Sequence, residues 1–347
     1  MKTIVFAGGG TAGHVMPNLA LISELKNSYN CVYVGGDGME RELCAARGIP
    51  FHTIRTVKLR RDKPLTAFAV PFALARCVGD AKKILREIKP DLVFSKGGYA
   101  ALPVVLAAKK IPVIIHESDY SPGLTTKLSK HRSDRILCAF SDCADKIKRA
   151  EHCGTPLARA LYAGHADKAA YGLIGNKPVL AVVGGSSGAA TLNALVGSAL
   201  PRLLKQFDVI HVTGKNKLGG KPQPGYCPIE FENNMPRLYA TSDIMITRAG
   251  ANALCECIAL KIPTIAVPLE KASRGDQLQN AEYFSRHGAV TVLHERDTTS
   301  AMLCDTVLRV YNNKSRYAAA MSELGVDGTK RICDIITDTL ARPTEKS

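Results

Sequence analysis

Tryptophan is absent from this chain of 347 residues, and aromatic residues make up only 6% of it. Because no nucleic-acid-binding motif occurs either, the composition argues against a nucleic-acid-binding protein, in spite of a net charge of +15. No apolar run approaches the roughly 20 residues that a membrane-spanning helix needs. The first run ends in glycines rather than in a cleavage site. We therefore expect neither a transmembrane segment nor a secretory signal.

Motifs that bind metals or activate nucleophiles are missing too. The eleven cysteines form no C-x-x-C pair and no Cys/His cluster with zinc spacing, which is typical of reduced thiols in a cytosolic protein. The D-x-D, Walker lysine, G-x-S-x-G and H-E-x-x-H motifs do not occur. We therefore expect no metal and no cofactor, and phosphate charge would be met by backbone N–H groups and helix dipoles.

The positive charge is concentrated in one segment. Positions 55–89 contain ten basic and three acidic residues, with an apolar stretch among them at 64–75. Such a surface attracts an anionic partner, and an anionic membrane is a candidate beside nucleic acid. The alternative is a solvated charged face beside a core helix. The residues that would dock on a membrane are Lys58, Arg60, Arg61, Lys63, Phe68, Phe72 and Arg76.

Strand-like runs alternate with helix-like stretches along the chain, which is typical of parallel sheets covered by helices on both faces. The expected strands are 3–6, 31–34, 91–94, 113–116, 135–139, 179–183, 208–212, 244–247, 264–267 and 290–293. The segment 215–228 is rich in Gly, Lys and Pro and is interpreted as a loop. We predict two doubly wound, Rossmann-like α/β domains facing a deep cleft, at 1–160 and 161–347, with the option that the last helix packs back on the first domain.

A glycine-rich turn follows the first strand of each half, at 8–14 and at 184–188. A buried strand, a tight glycine turn and a helix start aim backbone N–H groups at one point, which favours phosphate. The first turn also fits a dinucleotide fingerprint, with Asp37 near the place of the ribose-binding acid. His14 follows this turn, so it is either a base at a helix N-terminus or a residue that caps the helix or packs against its surroundings.

Polar residues follow three further strands. Arg248 and two small residues end one strand and open a helix whose first N–H groups could bind a second phosphate. Glu256, on the same helix, is either a ribose ligand or an exposed first-turn glutamate stabilised by the helix dipole. The segment 273–280 suits sugar hydroxyls or is a solvated loop. The segment 116–119 lies at a strand end, where doubly wound sheets bind ligands, or belongs to a structural turn.

Six motifs, taken in order, resemble those of the MurG family, and their form is most like that of Gram-positive members. They lie at 8–15, 95–99, 116–124, 184–186, 248–251 and 274–280. Members of this family are UDP-N-acetylglucosamine:N-acetylmuramyl-(pentapeptide)-pyrophosphoryl-undecaprenol N-acetylglucosaminyltransferases with the GT-B fold. The six motifs span nearly the whole chain, and together they are far more specific than any one of them.

The resemblance implies an inverting, metal-independent transfer of N-acetylglucosamine from UDP-N-acetylglucosamine to the C4 hydroxyl of lipid I, which forms lipid II in peptidoglycan synthesis. The implied partners are UDP-N-acetylglucosamine, lipid I, the anionic inner leaflet and other cell-wall synthesis proteins, without nucleic acid. The implied location is the cytoplasmic face of the membrane, with the first domain binding the acceptor and docking on the membrane. The alternatives are a transferase with another lipid acceptor, such as diacylglycerol, and an NAD(P)-binding oxidoreductase.

The resemblance also implies roles for residues. His14 would be the base, with Glu117 and Asp119 as rivals, and Asp119 departs from the asparagine of many members. The residues implied to bind substrate are Thr11, Ala12, Gly13, Asp119, Arg159, Ser186, Glu232, Met235, Arg248, Ala251, Asn252, Ala253, Glu256, Asp276, Gln277 and Asn280.

Within this set, each part of the donor has its own residues. Ser186 and the backbone of 251–253 would hold the diphosphate, and Glu256 the ribose. The backbone near Glu232 and Met235 would meet the uracil, and residues 276–277 the sugar hydroxyls. Arg159 would replace an arginine that many members have one position earlier, through a shifted backbone.

Overall fold

The computed structural model of the protein describes residues 1–56, 70–185, 189–217, 220–270 and 275–342. The chain forms two compact units, which we call the first unit (1–158 with 327–347) and the second unit (159–326). Each unit contains a parallel sheet and the helices that connect its strands. The prediction of two α/β domains with parallel sheets is therefore confirmed.

Both sheets are built from short apolar strands. The strands of the first unit are β1 (Thr3–Ala7), β2 (Asn30–Gly35), β3 (Phe51–Thr53), β4 (Leu92–Ser95), β5 (Val113–Glu117), β6 (Arg135–Cys138) and β7 (Ala150–His152). Those of the second unit are β8 (Val179–Val183), β9 (Asp208–Val212), β10 (Tyr226–Ile229), β11 (Ile244–Thr247), β12 (Thr264–Ala266) and β13 (Val290–Val292). The strand orders are β3-β2-β1-β4-β5-β6-β7 and β10-β9-β8-β11-β12-β13. Each sheet therefore extends from its first strand in both directions, as in doubly wound folds.

Helices connect these strands. They are α1 (Ala12–Leu25), α2 (Met39–Ala45), α3 (Val70–Ile88), α4 (Ala101–Ala107), α5 (Leu124–Ser129), α6 (Ser141–Asp145), α7 (Ala190–Leu203), α8 (Met235–Thr241), α9 (Ala251–Ala259), α10 (Asp276–Arg286), α11 (Ser300–Asn312), α12 (Lys314–Ser322) and α13 (Thr329–Ala341). Within the described ranges, none combines the length and the hydropathy that crossing a bilayer requires.

The last helix belongs to the core of the first unit. Residues 332, 335, 336 and 340 of α13 form an apolar stripe at helical spacing, and they pack in one cluster with residues of β1, β4 and α1. Lys2 Nζ also donates a hydrogen bond to the carbonyl of Leu340. The ranges expected from the sequence, 1–160 and 161–347, therefore differ from the observed units chiefly at the end of the chain.

Three edge strands, β3, β7 and β10, are missing from the strands that the sequence predicted. Of these, β10 overlaps the segment interpreted as a loop and contains Pro228. Proline has no backbone N–H group to donate, and an edge strand tolerates this because it pairs with a neighbour on one side only. The loop interpretation is therefore wrong for residues 226–228, because an edge strand needs no continuous apolar run.

Candidate active site

Three loops that belong to the motifs noted above lie at one edge of the first sheet. The glycine turn at 8–10 follows β1, the loop at 96–98 follows β4, and the loop at 118–123 follows β5. Because these parallel strands are neighbours, their carboxyl ends share one edge, where α/β sheets bind ligands. We call residues 8–14, 96–98 and 116–123 the first-unit cluster.

His14 lies in the first turn of α1, against two of these loops. Its Nδ1 is 3.0 Å from Oγ1 of Thr11, the N-cap residue. A Cβ built on Gly98 would be 3.3 Å from the same nitrogen. When Nδ1–H donates to Thr11, Nε2 carries the lone pair that a base needs. This contact joins two side chains and caps no backbone N–H group, so it orients the ring without supporting the capping interpretation.

Gly98 allows the loop at 96–98 to approach the glycine turn closely. Its φ is 85°, in the left-handed region, and a Cβ at this position would be 2.4 Å from the carbonyl oxygen of Gly9. Any side chain here would force the two loops apart, so the glycine is required by both backbone conformation and space.

Glu117 is buried, and its carboxylate is engaged within its own loop. Oε1 accepts the backbone N–H of Asp119 at 3.0 Å, while Oε2 accepts the N–H of Gly123 at 2.7 Å and the hydroxyl of Thr126 at 2.6 Å. These bonds organise the loop that carries Asp119. Between Glu117 and His14, the geometry therefore favours His14 as the base, and Asp119 stays a predicted rival.

Sequence reasoning missed a contact between Lys96 and His116, although both lie in motifs noted above. Lys96 Nζ is 2.8 Å from His116 Nδ1 and donates to Ser118, and His116 Nε2 is 2.8 Å from the carbonyl oxygen of Gly154. Nε2 therefore carries the proton, and Nδ1 accepts from the ammonium group. Burial and the Lys96 charge lower the pKa of His116 well below its ordinary value. Only the adjacency of β4 and β5 reveals this pair.

Glu40 is a second residue that sequence reasoning missed. It is 3% exposed, and its carboxylate accepts the N–H of Gly36 at 3.0 Å and that of Gly10 at 3.5 Å. A Cβ on Gly9 would be 2.3 Å from its Oε1. This carboxylate thus lies against the turn where a dinucleotide-binding fold holds its pyrophosphate, and Asp37 is engaged in a surface ion pair. The geometry does not support the dinucleotide interpretation.

In the second unit, β11 ends in a tight turn that opens α9. Ala249 has a φ of 60°, in the left-handed region that favours glycine. The predicted diphosphate-binding residues Ala251, Asn252 and Ala253 form the first turn of α9, which contains no acidic residue. The first N–H groups of an α-helix have no acceptor within the helix, so this start has the geometry of an anion site.

Arg248 is buried, and its guanidinium group bonds within the second unit. It donates to the carbonyl of Val267 at 3.2 Å and to the hydroxyl of Thr191 at 2.7 Å, and it pairs with Glu295 at 2.6 Å. These contacts join the ends of β11 and β12 to the start of α7. The geometry assigns the Arg248 side chain to holding the turn before α9, while its predicted contact with substrate stays a prediction.

Glu256 lies beyond the first turn of α9 and is partly buried, so the exposed first-turn interpretation is wrong. Its Oε2 accepts a hydrogen bond from the hydroxyl of Tyr239 at 2.5 Å. Burial raises the pKa of the carboxyl to about 6, and the bond from Tyr239 acts in the opposite direction. The charge of this predicted ribose ligand therefore changes near pH 6.

Glu232 and Met235 lie at the start of α8. The buried carboxylate of Glu232 accepts the hydroxyl of Tyr171 at 2.8 Å and the N–H of Asn234 at 2.6 Å. Because the side chain is used within the unit, a contact with uracil would fall to the backbone, as the resemblance implies.

Asp276, Gln277 and Asn280 lie in the first two turns of α10. Gly275 precedes the helix with a φ of 81°. Gln277 Oε1 accepts the N–H of Leu269 at 2.7 Å, which joins the helix start to the loop after β12. Asn280 is 0% exposed, so its geometry suits a structural side chain better than a ligand contact.

Other predicted residues are exposed or outside the described ranges. Phe72 on α3 is 76% exposed, and Arg76 on the same helix is exposed as well. Arg159 is exposed and opens the 3-10 helix Arg159–Ala163. The residues outside the described ranges are Lys58, Arg60, Arg61, Lys63, Phe68 and Ser186.

A pocket of about 420 Å³ lies in the second unit, and the predicted donor residues are not among those that line it. Its lining includes Asp243, which precedes β11, and Ile262 and Pro263, which precede β12. These are the amino ends of the strands, whereas α9 begins at a carboxyl end. The pocket therefore lies at the opposite edge of the sheet from the predicted donor site.

Comparisons with known proteins agree with this geometry. The glycosyltransferase family 28 N-terminal domain matches residues 4–138, and the glycosyltransferase family 28 C-terminal domain matches residues 179–336. The crystal structure of Acinetobacter baumannii MurG has a TM-score of 0.74 and 23% identity, covering 97% of this chain and 100% of that one. The glycotransferase of kitacinnamycin has a TM-score of 0.77 and 17% identity, covering 98% of this chain and 99% of that one. These structures show the fold, which is that of GT-B glycosyltransferases.

Curated relatives are more similar in sequence. A protein of Lachnoclostridium phytofermentans is 44% identical over 333 residues, covering 92% of this chain and 94% of its own. A protein of Lachnospira eligens is 42% identical over 353 residues, covering 97% of this chain and 99% of its own. Both are named UDP-N-acetylglucosamine--N-acetylmuramyl-(pentapeptide) pyrophosphoryl-undecaprenol N-acetylglucosamine transferase. The chain therefore belongs to glycosyltransferase family 28 and, within it, to the MurG family.

Proposed function

We propose that this protein transfers N-acetylglucosamine from UDP-N-acetylglucosamine to the C4 hydroxyl of N-acetylmuramyl-(pentapeptide) pyrophosphoryl-undecaprenol, lipid I, and so forms lipid II for peptidoglycan synthesis. The observation that carries the proposal is the identity of 42–44% with curated transferases of that substrate over 92–97% of the chain. The first unit binds the acceptor and the second unit binds the donor.

Donor binding uses the carboxyl edge of the second sheet. The N–H groups and the dipole at the start of α9 hold the diphosphate. Glu256 accepts hydrogen bonds from the ribose hydroxyls, and the backbone near Glu232 and Met235 meets the uracil. Asp276 and Gln277 at the start of α10 bind the sugar hydroxyls. Ser186 is proposed as a further contact of the diphosphate, and Arg159 as a further contact of substrate.

The reaction is a direct displacement at the anomeric carbon with inversion. The acceptor oxygen forms a bond to C1 of N-acetylglucosamine while the bond from C1 to the diphosphate oxygen breaks. His14 Nε2 accepts the proton of the acceptor hydroxyl, and Thr11 orients the ring through Nδ1. UDP leaves with the electron pair, and the helix start of α9 stabilises the growing charge on the diphosphate.

Transfer of labelled N-acetylglucosamine to a short-chain lipid I analogue tests the function. We expect product with UDP-N-acetylglucosamine and the lipid I analogue, and none with UDP-glucose or diacylglycerol. Loss of a general base typically costs 10²–10⁴-fold, so His14→Asn is expected to lower kcat by about 100-fold or more. The matched control is His131→Asn, an exposed histidine outside the first-unit cluster, which should retain activity.

The outcomes separate the parts of the proposal. Transfer to diacylglycerol in place of the lipid I analogue contradicts the acceptor. A His14→Asn variant with the kcat of the wild type contradicts the base. Absence of transfer from any UDP sugar contradicts the proposed transferase activity as a whole.

A further inference from the structure

A hydrogen bond from the Tyr239 hydroxyl to the Glu256 carboxylate joins the helices that precede and follow β11 in the sequence. Tyr239 lies on α8, which precedes the strand, and Glu256 lies on α9, which follows it. Their oxygens are 2.5 Å apart, within the range of a charge-assisted O–H···O⁻ bond. This bond fixes one oxygen of the carboxylate in space.

Tyr239 itself does not belong to the predicted donor-binding residues. It is 4% exposed, and its ring packs in the second unit, where it also lines the pocket at the amino edge of the sheet. Burial raises the pKa of its hydroxyl well above the ordinary value, so Tyr239 is a hydrogen-bond donor at every physiological pH. Any influence on a bound donor must therefore pass through Glu256.

Oε1 of Glu256 is the carboxylate oxygen that can accept a hydrogen bond from a ligand. Tyr239 takes Oε2, and in the part of the chain that the structure describes no other hydrogen bond to the Glu256 side chain occurs. An ionised carboxylate accepts through both oxygens, whereas a protonated one loses the charge and half of this capacity. A ribose with two adjacent hydroxyls needs the ionised form, held in one orientation.

We propose that Tyr239 is the positioning residue of the donor site, which holds the Glu256 carboxylate ionised and oriented toward the ribose hydroxyls. This inference rests on the proposed function. It gives the second unit a means to distinguish a ribonucleotide sugar from its 2′-deoxy analogue, because a site built around a hydroxyl rejects the analogue that lacks it.

Tyr239→Phe tests the inference, since it keeps the ring and removes only the hydroxyl. We expect the KM for UDP-N-acetylglucosamine to rise about tenfold with kcat changed by less than about twofold, the signature of lost ground-state binding. We expect the preference over 2′-deoxy-UDP-N-acetylglucosamine to shrink by a similar factor. Because the Tyr239 bond lowers the pKa of Glu256, the acidic limb of the 1/KM profile should move to higher pH.

Tyr226→Phe is the matched control. Tyr226 is also buried in the second unit, and its hydroxyl bonds His211 rather than a predicted site residue. This variant should leave the KM, the 2′-deoxy preference and the pH profile as in the wild type. In a Glu256→Gln background, Tyr239→Phe should raise the KM by less than about twofold, because the two residues act as one unit.

Calorimetric measurement of UDP-N-acetylglucosamine binding, without acceptor, distinguishes a failure of the proposed function from a failure of the inference about Tyr239. A wild-type chain that binds no UDP sugar overturns the proposed function and this inference with it. A wild-type chain that binds the donor, with a Tyr239→Phe variant of equal affinity, equal 2′-deoxy preference and equal pH profile, overturns the inference alone.

Discussion

Three histidines of this protein differ in what surrounds their ring nitrogens. His211 is 0% exposed, with Nε2 3.1 Å from Asn193 Oδ1 and Nδ1 3.0 Å from the hydroxyl of Tyr226. His116 lies in the same way between the Lys96 ammonium and a backbone carbonyl. Both rings therefore have one donor and one acceptor partner, which suits the neutral form. His14, at a helix start and only partly buried, is the one placed for proton transfer.

Acid should destabilise the second unit through His211. Burial lowers its pKa to about 4 from an ordinary value of 6.5, so between these values the unfolded chain binds more protons than the folded one. The free energy of unfolding should therefore fall as the pH drops from 6.5 to about 4, by up to about 1.4 kcal/mol per pH unit from this group. Urea unfolding followed by circular dichroism across this range measures the slope.

The matching variant is His211→Gln, which does not titrate and should flatten the slope. Tyr226→Phe keeps the histidine and should retain most of the slope. Equal slopes for the wild type and His211→Gln would show that this ring is not the source of the acid sensitivity.

The helices and strands show where sequence reasoning succeeds and where it does not. Central strands such as β8 and, after Thr3, β1 are apolar because helices cover both faces, and the sequence predicted them. The edge strands β3, β7 and β10 carry no such run, so they were missed, whereas the edge strand β13 was predicted. The glycine turn after β1 and the start of α9 were predicted from spacing, whereas the partners of Glu40, Lys96 and Glu256 were not. Those partners lie on other elements, and only the strand order brings them together.

The contribution of α13 to the first unit can be measured with Ile336→Ala. Ile336 is 0% exposed in the core cluster, and truncation of such a side chain typically costs about 2–5 kcal/mol. We expect a loss of that size in the free energy of unfolding, with faster hydrogen exchange in β1 and β4. Asp338→Ala, on the exposed face of the same helix, should change the free energy of unfolding by less than about 0.5 kcal/mol.

If Ile336→Ala instead accelerated exchange only in the second unit, the assignment of α13 to the first unit would be wrong.

Over the whole molecule, positive charge exceeds negative by 15, and the densest excess flanks an apolar stretch in the first unit. On α3, Phe72 and Arg76 are both exposed, so an apolar and a basic group lie on one surface of that helix. We propose that this surface docks on an anionic membrane. Charge attracts the protein to the lipid, and the apolar group adds burial.

Sedimentation with vesicles of anionic phospholipid tests the docking. Binding should weaken as salt screens the charges, and Phe72→Ser should weaken it by about tenfold or more, since burying a phenylalanine contributes about 1.5–3 kcal/mol. Ile174→Ser removes a fully exposed apolar side chain of the second unit and should bind like the wild type. Equal binding of Phe72→Ser and wild type, or binding that salt leaves unchanged, would exclude this surface.

The place of α13 also sets the order in which the protein can be completed on the ribosome. The second unit is continuous in sequence, whereas the first unit needs its opening 158 residues and the residues after 326. Thr329 joins these two parts, with its hydroxyl bonded to the N–H and the carbonyl of Leu157. Until α13 is synthesised, the apolar face of α1 that packs against it stays uncovered, so the second unit, whose residues all precede α13, is the first that can be completed.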